Sequence, residues 1–396
     1  MTTADLAIRK YDLLLKGGRV IDPANNIDGN FDVAVAGGII ALVEKDISPA
    51  VARTVADVTR LIVTPGLIDL HAHFHGYFGA IPPDTHCLPE GTTTAVDVGG
   101  AGHLTFDEFN EAVIAPAITN VFALINIAGE GMVGEPEQDL EGMDIDLTSA
   151  KIAQRPDRIV GVKVAHYAGP GWQALDRGVQ AAENTGVYVM VDQTPIHTRP
   201  MDEMLLEHLR PGDMTTHCYA VSKPMTDSND RVKPYFFEAR ERGVKFDVGH
   251  GSGSFSFRIA KAAMEQGFPP DTISTDMHAP SLLVNQATMP ETMTKLMVLG
   301  MDLPDVINRS TWVPAQTIGH PELGNLGQSV PADIAVLDIT EGEFGLTDNG
   351  SGNRVYSANR RIVCDMTIKN GRVVWDRNGR SRADWSTAPP TNPALA

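Results

Sequence analysis

Two histidines separated by one residue, His71 and His73, follow an apolar stretch in the segment TPGLIDLHAH. In a β-strand, side chains at positions i and i+2 point to the same side, so both imidazoles can face one point in space. Imidazole nitrogen is a common ligand of divalent transition metals. A single histidine is more often a packed core or surface residue, but this pair at the end of an apolar run predicts a metal site.

Three further ionisable residues lie inside or at the end of apolar runs farther along the chain. Lys163 stands between two valines, His217 lies near the end of a short apolar run, and Asp276 closes another. Alone each is weak evidence, because a lysine in a strand can be ion-paired or can extend its charged end to water. Histidine and aspartate are also common at strand ends and helix caps. Their joint occurrence with the histidine pair favours one shared site.

The elements that must position these residues alternate between apolar runs of strand length and longer segments with helical spacing, such as GWQALDRGVQAAENTG. Continuous apolar strands that alternate with helices predict a parallel sheet covered by helices. Eight such runs favour a closed barrel over an open doubly wound sheet, and active sites of these barrels lie at the carboxyl ends of the strands. The predicted barrel strands are residues 61–70, 93–98, 121–128, 159–165, 187–192, 214–219, 244–248 and 272–276.

Both ends of the chain predict β-structure instead of alternating strands and helices. Residues 15–22 and 368–376 carry similar patterns, and each is interpreted as an apolar strand, a glycine-containing turn and a second strand. Together they predict one small β-domain assembled from both termini. The predicted boundaries are 1–60 for the N-terminal part of this domain, 61–328 for the barrel, 329–380 for the C-terminal part and 381–396 for an extended tail.

The composition argues against several classes of partner. Of 396 residues, 50 are acidic and 32 are lysine or arginine, so the formal net charge of −18 offers no cationic excess for nucleic-acid phosphates. No apolar run of membrane-spanning length occurs, and the N-terminal segment lacks the features of a signal peptide. Cys87, Cys218 and Cys364 match neither a disulfide framework nor a paired-thiol metal site. We expect a cytoplasmic protein with no nucleic-acid or membrane partner.

Several motifs resemble the amidohydrolase superfamily, and in particular its bacterial deacetylase-type subgroup, which is related to dihydroorotases. They are LLLKGGRVIDPANN, TPGLIDLHAH, GTTTAVDVGGAG, GVKV, LRPGDMTTHCY, ISTD, RSTWVPA and PADIAVLDI, which together span nearly the whole chain. The resemblance implies an α/β fold in which a distorted (β/α)8 TIM barrel is joined to a small β-sandwich built from both termini. It also implies a small-molecule substrate and self-association into a homo-oligomer.

The family pattern implies one or two divalent metal ions at the mouth of the barrel. We expect two, with zinc as the first choice and manganese as the alternative. Carried over residue by residue, the implied ligands are His71, His73, His217, Asp276 and Lys163, the last as a carbamate formed with carbon dioxide. An amine that is desolvated between two valines loses its proton more readily and can form this anionic ligand.

One position departs from the family pattern. The fifth run ends in VMVD, so Asp192 stands where the subgroup usually has a histidine. We prefer Asp192 as the metal ligand, because the sheet fixes the position of a strand end. His197, five residues later, is the alternative, and a third possibility is that neither binds. The additional carboxylate oxygen would shift the preference from zinc towards manganese.

The implied reaction is hydrolysis of an amide, ester, cyclic amide or lactone bond of a small molecule by metal-bound hydroxide. Asp276 is the implied proton shuttle between the attacking hydroxide and the leaving group. Three residues are candidate substrate contacts, each weighed against a structural role: His250, between two glycines after the seventh run, and His166 with Tyr167, directly after the fourth.

Two other functions compete with this interpretation. Residues 129–134 match GxGxxG, which is typical of dinucleotide-binding oxidoreductases, but acidic residues follow where a helix N-terminus would bind pyrophosphate. Alternatively, the protein is a catalytically weak or inactive amidohydrolase-like scaffold, and Asp192 is a substitution in that direction. The presence of the other predicted ligands favours an enzyme.

Overall fold

The structure is a computed structural model that describes residues 9–223, 225–352 and 354–387. Residues 388–396 of the predicted tail lie outside the described residues, while Trp385–Thr387 forms a short 3-10 helix. The strands are β1 (Tyr11–Asp22), β2 (Ile27–Ala36), β3 (Ile39–Glu44), β4 (Ala52–Asp57), β5 (Ile62–Pro65), β6 (Leu67–Ala72), β7 (Thr92–Gly102), β8 (Asn120–Asn126), β9 (Ile159–Ala165), β10 (Tyr188–Asp192), β11 (Met214–Thr215), β12 (Lys245–Phe246), β13 (Ile334–Asp348), β14 (Arg354–Lys369) and β15 (Arg372–Asp376).

Helices follow most of the barrel strands. They are α1 (Pro83–Cys87), α2 (Phe106–Phe109), α3 (Ile145–Gln154), α4 (Gln173–Thr185), α5 (Met201–Glu203), α6 (Pro234–Glu241), α7 (Phe257–Glu265), α8 (Ala279–Asn285), α9 (Met289–Val298), α10 (Leu303–Asn308) and α11 (Trp312–Thr317). The helix α4 buries Ala174, Leu175 and Ala181 on one face and ends at Thr185, because the left-handed backbone of Gly186 terminates it. Among the described residues, no helix has the length and apolar character needed to span a bilayer.

The parallel sheet forms the barrel predicted from the sequence. In the described chain its strands run in the order β6-β7-β8-β9-β10-β11-β12. The segment 272–277 closes the ring, because Thr272 forms a parallel bridge with Asp247 beside β12, and Met277 forms one with Ala72 at the end of β6. The predicted distorted (β/α)8 barrel is thereby confirmed, with its eighth strand reduced to isolated bridges.

The second sheet is built from both termini, as predicted. It has the order β15-β14-β13-β5-β1-β2-β3, and β4 pairs with β1. The interpretation of residues 61–70 as one barrel strand is wrong, because β5 pairs with β1 and β13 in this terminal sheet and only β6 enters the barrel. The chain passes between the sheets at Gly66, where a Cβ atom would lie 2.0 Å from Thr93 Oγ1. A glycine is required there because the backbone runs directly against a neighbouring side chain.

The two glycine-containing terminal motifs form different structures. The C-terminal motif is the predicted hairpin of β14 and β15. The N-terminal motif is one continuous strand, β1, which contains a bulge between Leu15 and Gly18. Gly17 has φ +83°, and its N–H donates to the Asp32 carboxylate at 2.8 Å. This bulge, which the local sequence cannot distinguish from a turn, replaces the predicted N-terminal hairpin.

The glycines of the GxGxxG segment, residues 129–134, allow the backbone to pack closely against neighbouring loops. Gly131 lies so close to the neighbouring loop that a Cβ atom would be 2.3 Å from the Gly100 carbonyl oxygen. The segment leads into a short 3-10 helix, Glu135–Gln138, and not into an α-helix that could bind pyrophosphate. The structure therefore agrees with the rejection of a dinucleotide site.

Two apolar clusters support the barrel. The larger one packs the outer faces of the strands against the helices and includes Phe106, Phe236 and Phe246. The other joins strand residues such as Leu70 and Met190 to residues at and after α11. The Met190 sulfur lies 3.8 Å from Lys163 Nζ, so this second cluster reaches the polar residues at the carboxyl ends of the strands.

Ionisation of Glu90, a residue between the barrel and the terminal sheet, is expected to affect the stability of the fold. Glu90 is partly buried at the end of the 3-10 helix Leu88–Glu90, and burial raises its pKa to about 7. The unfolded-state pKa is about 4.3, so ionisation of Glu90 destabilises the fold increasingly between about pH 4 and pH 7 and by a constant amount above. Glu90→Gln is expected to raise the free energy of unfolding by about 1–2 kcal/mol at pH 8 and to leave it unchanged at pH 4.

Urea unfolding at the two pH values measures this effect. Glu343→Gln, at an exposed position on β13, is the control and should change neither value. An equal gain in stability for Glu90→Gln at both pH values would show that ionisation of Glu90 is not the cause.

Candidate metal centre

A chain of hydrogen bonds holds His71 with one ring nitrogen free. The Thr216 hydroxyl donates to Asp247 Oδ2 at 2.8 Å and accepts from His71 Nδ1 at 2.9 Å. The N–H of His71 is therefore on Nδ1, and Nε2 keeps its lone pair for a metal. Burial and the neighbouring Lys163 lower the pKa of His71 to about 3, so the ring is neutral at physiological pH.

His217 lies just after β11 and also commits Nδ1 to a hydrogen bond. Its Nδ1–H donates to the Gly249 carbonyl at 2.6 Å, and its Nε2 faces the Asp192 carboxylate, with 3.0 Å between Nε2 and Oδ2. His217 and Asp276 both have left-handed backbones, with φ +59° and +50°. Such conformations are costly for residues other than glycine and are concentrated at functional sites. At these positions they direct the side chains into the mouth of the barrel.

Three of the predicted ligands converge closely. His71, His217 and Asp276 each offer a ligand atom, and these atoms lie within 4.8 Å of one another. His73 is adjacent, since its Nε2 lies 3.0 Å from Asp276 Oδ1, and His71 Nε2 lies 3.6 Å from the same oxygen. The strand ends thus bring together residues that are more than 200 positions apart.

Lys163 points into this cluster from β9. It is completely buried, and its Nζ lies 3.4 Å from His71 Nε2. No carboxylate oxygen of the described residues lies within 4.0 Å of this nitrogen, so the amine has no ion-pair partner there. Burial lowers the pKa of Lys163, which favours the neutral amine. A neutral buried amine is the form that can add carbon dioxide.

Asp192 lies at the end of β10 and joins the cluster through His217. Its Oδ2 is 3.0 Å from His217 Nε2, and its Oδ1 accepts from Lys223 Nζ at 2.7 Å. Burial raises the pKa of Asp192, but His217 and Lys223 lower it by more, so that it lies well below the usual value. His197, the alternative considered from the sequence, is exposed. The structure places Asp192 and not His197 beside the cluster.

A cavity of about 440 Å³ opens over these residues and has the size of a small-molecule site. His166 and Tyr167 lie in its wall. His166 Nδ1 is 3.3 Å from Glu137 Oε2, and this hydrogen bond raises the pKa of the imidazole. A larger groove of about 1180 Å³ along β13 and β14 contributes no residue to the metal-ligand cluster of the described chain.

His250 does not lie in the wall of this cavity. It is fully buried, its Nε2 is 2.6 Å from Lys295 Nζ, and its ring stacks on Phe255. The glycines on either side allow the loop to turn, but the side chain is directed towards α9 and away from the cleft. We therefore do not retain His250 as a substrate contact.

Sequence reasoning missed three polar residues of the site. Asp247 orients His71 through Thr216, Lys223 neutralises Asp192, and Arg199 lies in the cavity wall. Asp247 could have been found, because it lies at the end of the seventh apolar run. Lys223 and Arg199 follow strand ends by several residues and carry no pattern that predicts their direction.

No protein-family model matches the chain. A deacetylase of Enterococcus faecalis is 30% identical over 385 residues, which cover 92% of this chain and 99% of the relative. The chain belongs to the amidohydrolase superfamily. This membership confirms the predicted class, a metal-dependent hydrolase that acts on C–N bonds.

Solved structures agree with this assignment. The crystal structure of an adenine deaminase superposes with a TM-score of 0.84 at 30% identity and covers 92% of this chain and 100% of that one. A dihydroorotase structure gives a TM-score of 0.81 at 28% identity, with 92% and 99% covered. This amidohydrolase therefore shares its architecture over 92% of the chain with those proteins.

Gly251 tests how tightly Asp276 is positioned. It has φ +54°, and a Cβ atom there would lie 2.4 Å from Asp276 Oδ2. Gly251→Ala is expected to displace this carboxylate and to lower kcat/KM at least about tenfold, since small misplacements of reacting groups have large effects on rate. Hydrolysis assays and urea unfolding measure the two effects separately.

Gly267→Ala is the matched control. Gly267 has φ +77° but nothing within 4 Å of the added Cβ, so the variant carries similar backbone strain without a contact to the site. We expect full activity in this variant. Equal losses of kcat/KM in both variants would mean that backbone strain, and not displacement of Asp276, lowers activity.

Proposed function

We propose that this amidohydrolase cleaves the acyl bond of a small N-acyl or O-acyl compound, as a deacetylase-type enzyme. The observation that carries the proposal is the convergence of His71, His217 and Asp276 at a cavity of about 440 Å³. The deacetylase name of a relative that is covered over 99% of its length supports an acyl substrate. Esters, cyclic amides and lactones remain within the chemistry of the same site.

The residues present fit a divalent metal. Both His71 and His217 commit Nδ1 to a hydrogen bond and direct Nε2 towards the other candidate ligands, as metal-binding histidines do. A divalent cation supplies Lewis-acid activation of a water molecule and of a carbonyl group at neutral pH. We propose two ions, zinc by preference, held by His71, His73, Lys163, Asp192, His217 and Asp276.

Lys163 and Asp192 have different roles in this proposal. The buried amine of Lys163 lacks a carboxylate partner in the described structure, which supports its conversion to a carbamate by carbon dioxide. The Asp192 carboxylate already binds the Lys223 ammonium, so its charge is compensated within the protein. Because this charge is compensated, we do not expect the Asp192 carboxylate to shift the metal preference of the site from zinc to manganese.

Asp276 is the proposed proton carrier. Its Oδ1 lies 3.0 Å from His73 Nε2 and 3.6 Å from His278 Nδ1, so two imidazoles flank the carboxylate beside the cluster. We infer that it takes a proton from the attacking water as the water oxygen bonds to the acyl carbon. The protonated Asp276 side chain then delivers this proton to the leaving nitrogen or oxygen as the acyl bond breaks. His166 and Tyr167 are proposed to contact the substrate from the wall.

The test is hydrolysis by enzyme reconstituted with zinc or manganese and bicarbonate. The panel consists of N-acetyl amino acids, O-acetyl hydroxy acids, dihydroorotate and adenine. We expect acetate release from acetylated substrates and loss of activity after treatment with a chelator. Turnover of dihydroorotate or adenine alone would overturn the deacetylase proposal, and no turnover of any substrate would favour the inactive scaffold.

A cytoplasmic location is part of the same proposal. Cys87, Cys218 and Cys364 are all free and buried, which is typical of proteins from a reducing compartment.

A further inference from the structure

The tip of the hairpin formed by β13 and β14 is buried against the barrel. The two strands pair with each other as far as Asp348 and Arg354, but only residues 334–337 of β13 also pair with β5. The outer halves of both strands therefore leave the terminal sheet, and at the tip Asp348 and Asn349 are each only 8% exposed. Connecting segments usually lie in solvent, and a buried amide needs hydrogen-bond partners, so the partners of Asn349 indicate its role.

Asn349 connects the two ends of the segment 251–255, which follows β12. Its Oδ1 accepts from the Phe255 N–H at 2.8 Å, and its Nδ2 donates to the Gly251 carbonyl at 2.8 Å. Between these ends lie Ser252, Gly253 and Ser254, which form part of the wall of the cavity of about 440 Å³. One asparagine of the terminal sheet therefore closes a barrel loop that borders the candidate active site.

The middle of this segment has few other contacts. Among the described residues, the backbone N–H groups of residues 252–254 donate no hydrogen bond within the protein. The Ser252 carbonyl accepts from Asn285 Nδ2 at 3.1 Å. A chain of serine and glycine has little stiffness of its own, so the conformation of the segment depends on its anchored ends.

The anchored end at Gly251 lies directly against Asp276. The Gly251 N–H donates to the Thr275 carbonyl at 2.9 Å, and a Cβ atom at Gly251 would be 2.4 Å from Asp276 Oδ2. Any displacement of the Gly251 backbone therefore changes the space that is available to the Asp276 carboxylate.

A buried lysine ties the hairpin to the same loop. Lys295 Nζ donates to the Thr347 carbonyl at 2.7 Å and to His250 Nε2 at 2.6 Å. Because Nε2 accepts this bond, the proton of the His250 ring is on Nδ1, which donates to the Gly251 carbonyl at 3.0 Å. The Gly251 carbonyl thus accepts two hydrogen bonds, and the His250 ring helps to hold the loop from the side that faces away from the cavity.

We propose that Asn349 is a positioning residue for catalysis, which fixes the segment 251–255 and, through Gly251, the orientation of the Asp276 carboxylate. This inference rests on the proposed proton transfer by Asp276 and adds a residue of the terminal sheet to the residues on which the reaction depends. In the part of the chain that the structure describes, Asn349 does not line the cavity, so it acts without touching the substrate.

Kinetics of the metal-loaded enzyme on an acylated substrate test this role. Asn349→Ala removes both anchors, and we expect kcat to fall at least about tenfold while KM changes by less than about threefold, since small misplacements of reacting groups have large effects on rate. Asn349→Asp keeps the size of the side chain and the acceptor for the Phe255 N–H, but an ionised carboxylate cannot donate to the Gly251 carbonyl, so a similar loss is expected. Ser351→Ala is the matched control and should keep full activity, because Ser351 lies at the same tip but bonds Ser256 Oγ, outside the segment.

Three kinetic outcomes would overturn the inference. They are a wild-type kcat in either Asn349 variant, an equal loss of kcat in Ser351→Ala, and a raised KM with unchanged kcat. The last outcome would place the effect in substrate binding by the cavity wall and not at Asp276. If Asn349→Ala does not fold, Asn349→Asp compared with the wild type decides the experiment.

Hydrogen exchange separates this inference from the proposed function. The Phe255 N–H donates to Asn349, so its exchange should be at least about tenfold faster in Asn349→Ala, with and without metal, and unchanged in Ser351→Ala. If no substrate is hydrolysed but exchange follows this pattern, the anchoring of the segment stands, while the acyl-hydrolase proposal and with it the catalytic role fail. Wild-type exchange of this N–H in Asn349→Ala would overturn the anchoring even in an active enzyme.

Discussion

Asp276→Asn is expected to lower kcat/KM by at least about 10³-fold, because asparagine keeps the size of the side chain but cannot accept and return a proton. Proton transfer by a positioned side chain contributes typically about 10²–10⁴-fold to catalysis. Asp276 also belongs to the predicted metal-ligand cluster, in which its carboxylate lies 3.0 Å from His73 Nε2. Kinetics on an acylated substrate, together with elemental analysis of the variant, measure both contributions.

Asp271→Asn is the matched control for this substitution. Asp271 precedes the segment 272–277 at the end of the barrel opposite the cavity, and it accepts hydrogen bonds from the Phe246 N–H and from Arg240. Asparagine can still accept both bonds, so activity should be unchanged. Retention of more than about a tenth of wild-type kcat/KM by Asp276→Asn would exclude proton transfer by this residue, given the size of general acid–base effects.

Lys163→Met is expected to reduce the metal content from about two ions per chain to one or fewer, because methionine cannot form the carbamate that is proposed to hold metal. Activity should fall at least about 100-fold, since even residues that only orient metal ligands contribute about 10–100-fold. Methionine matches the apolar surroundings of β9 and contacts the same Met190 region, so the fold should survive. Elemental analysis and kinetics after reconstitution provide the measurement.

Bicarbonate dependence makes the role of Lys163 specific. Reconstitution of the wild-type protein should require bicarbonate, whereas that of Lys163→Met should not respond to it. Lys245→Met is the control, because Lys245 lies on β12 at the opposite end of the barrel and bonds only Thr317 among the described side chains. Unchanged metal content in Lys163→Met would show that Lys163 does not hold a metal, and one ion per chain in both proteins would favour a mononuclear site.

The barrel and the order of its candidate ligands could be predicted from the sequence. Apolar runs alternating with helical segments are a local pattern, and parallel strands in a barrel place their carboxyl ends together. His71, Lys163, His217 and Asp276 could therefore be assigned to one mouth before their distances were known. The same reasoning found Asp192, because its position at the end of β10 depends only on the strand.

Residues in loops could not be assigned in this way. His250 follows the seventh strand directly, yet its ring bonds Lys295 on α9, which lies 45 residues away in the chain. Gly17 and Gly18 have the pattern of a turn, yet they form a bulge because β1 continues to pair with β2 beyond them. In each case a partner distant in sequence decides between two locally acceptable conformations.

The sequence by itself determined the barrel, the terminal sheet and the set of strand-end residues, because hydrophobic periodicity acts over a few residues. Only the tertiary structure decided how those residues are oriented. The Thr216–Asp247 hydrogen bond that fixes the tautomer of His71 and the Asp192–Lys223 ion pair each join residues 31 positions apart. Such contacts depend on side-chain direction and on packing between separate segments, so no local pattern encodes them.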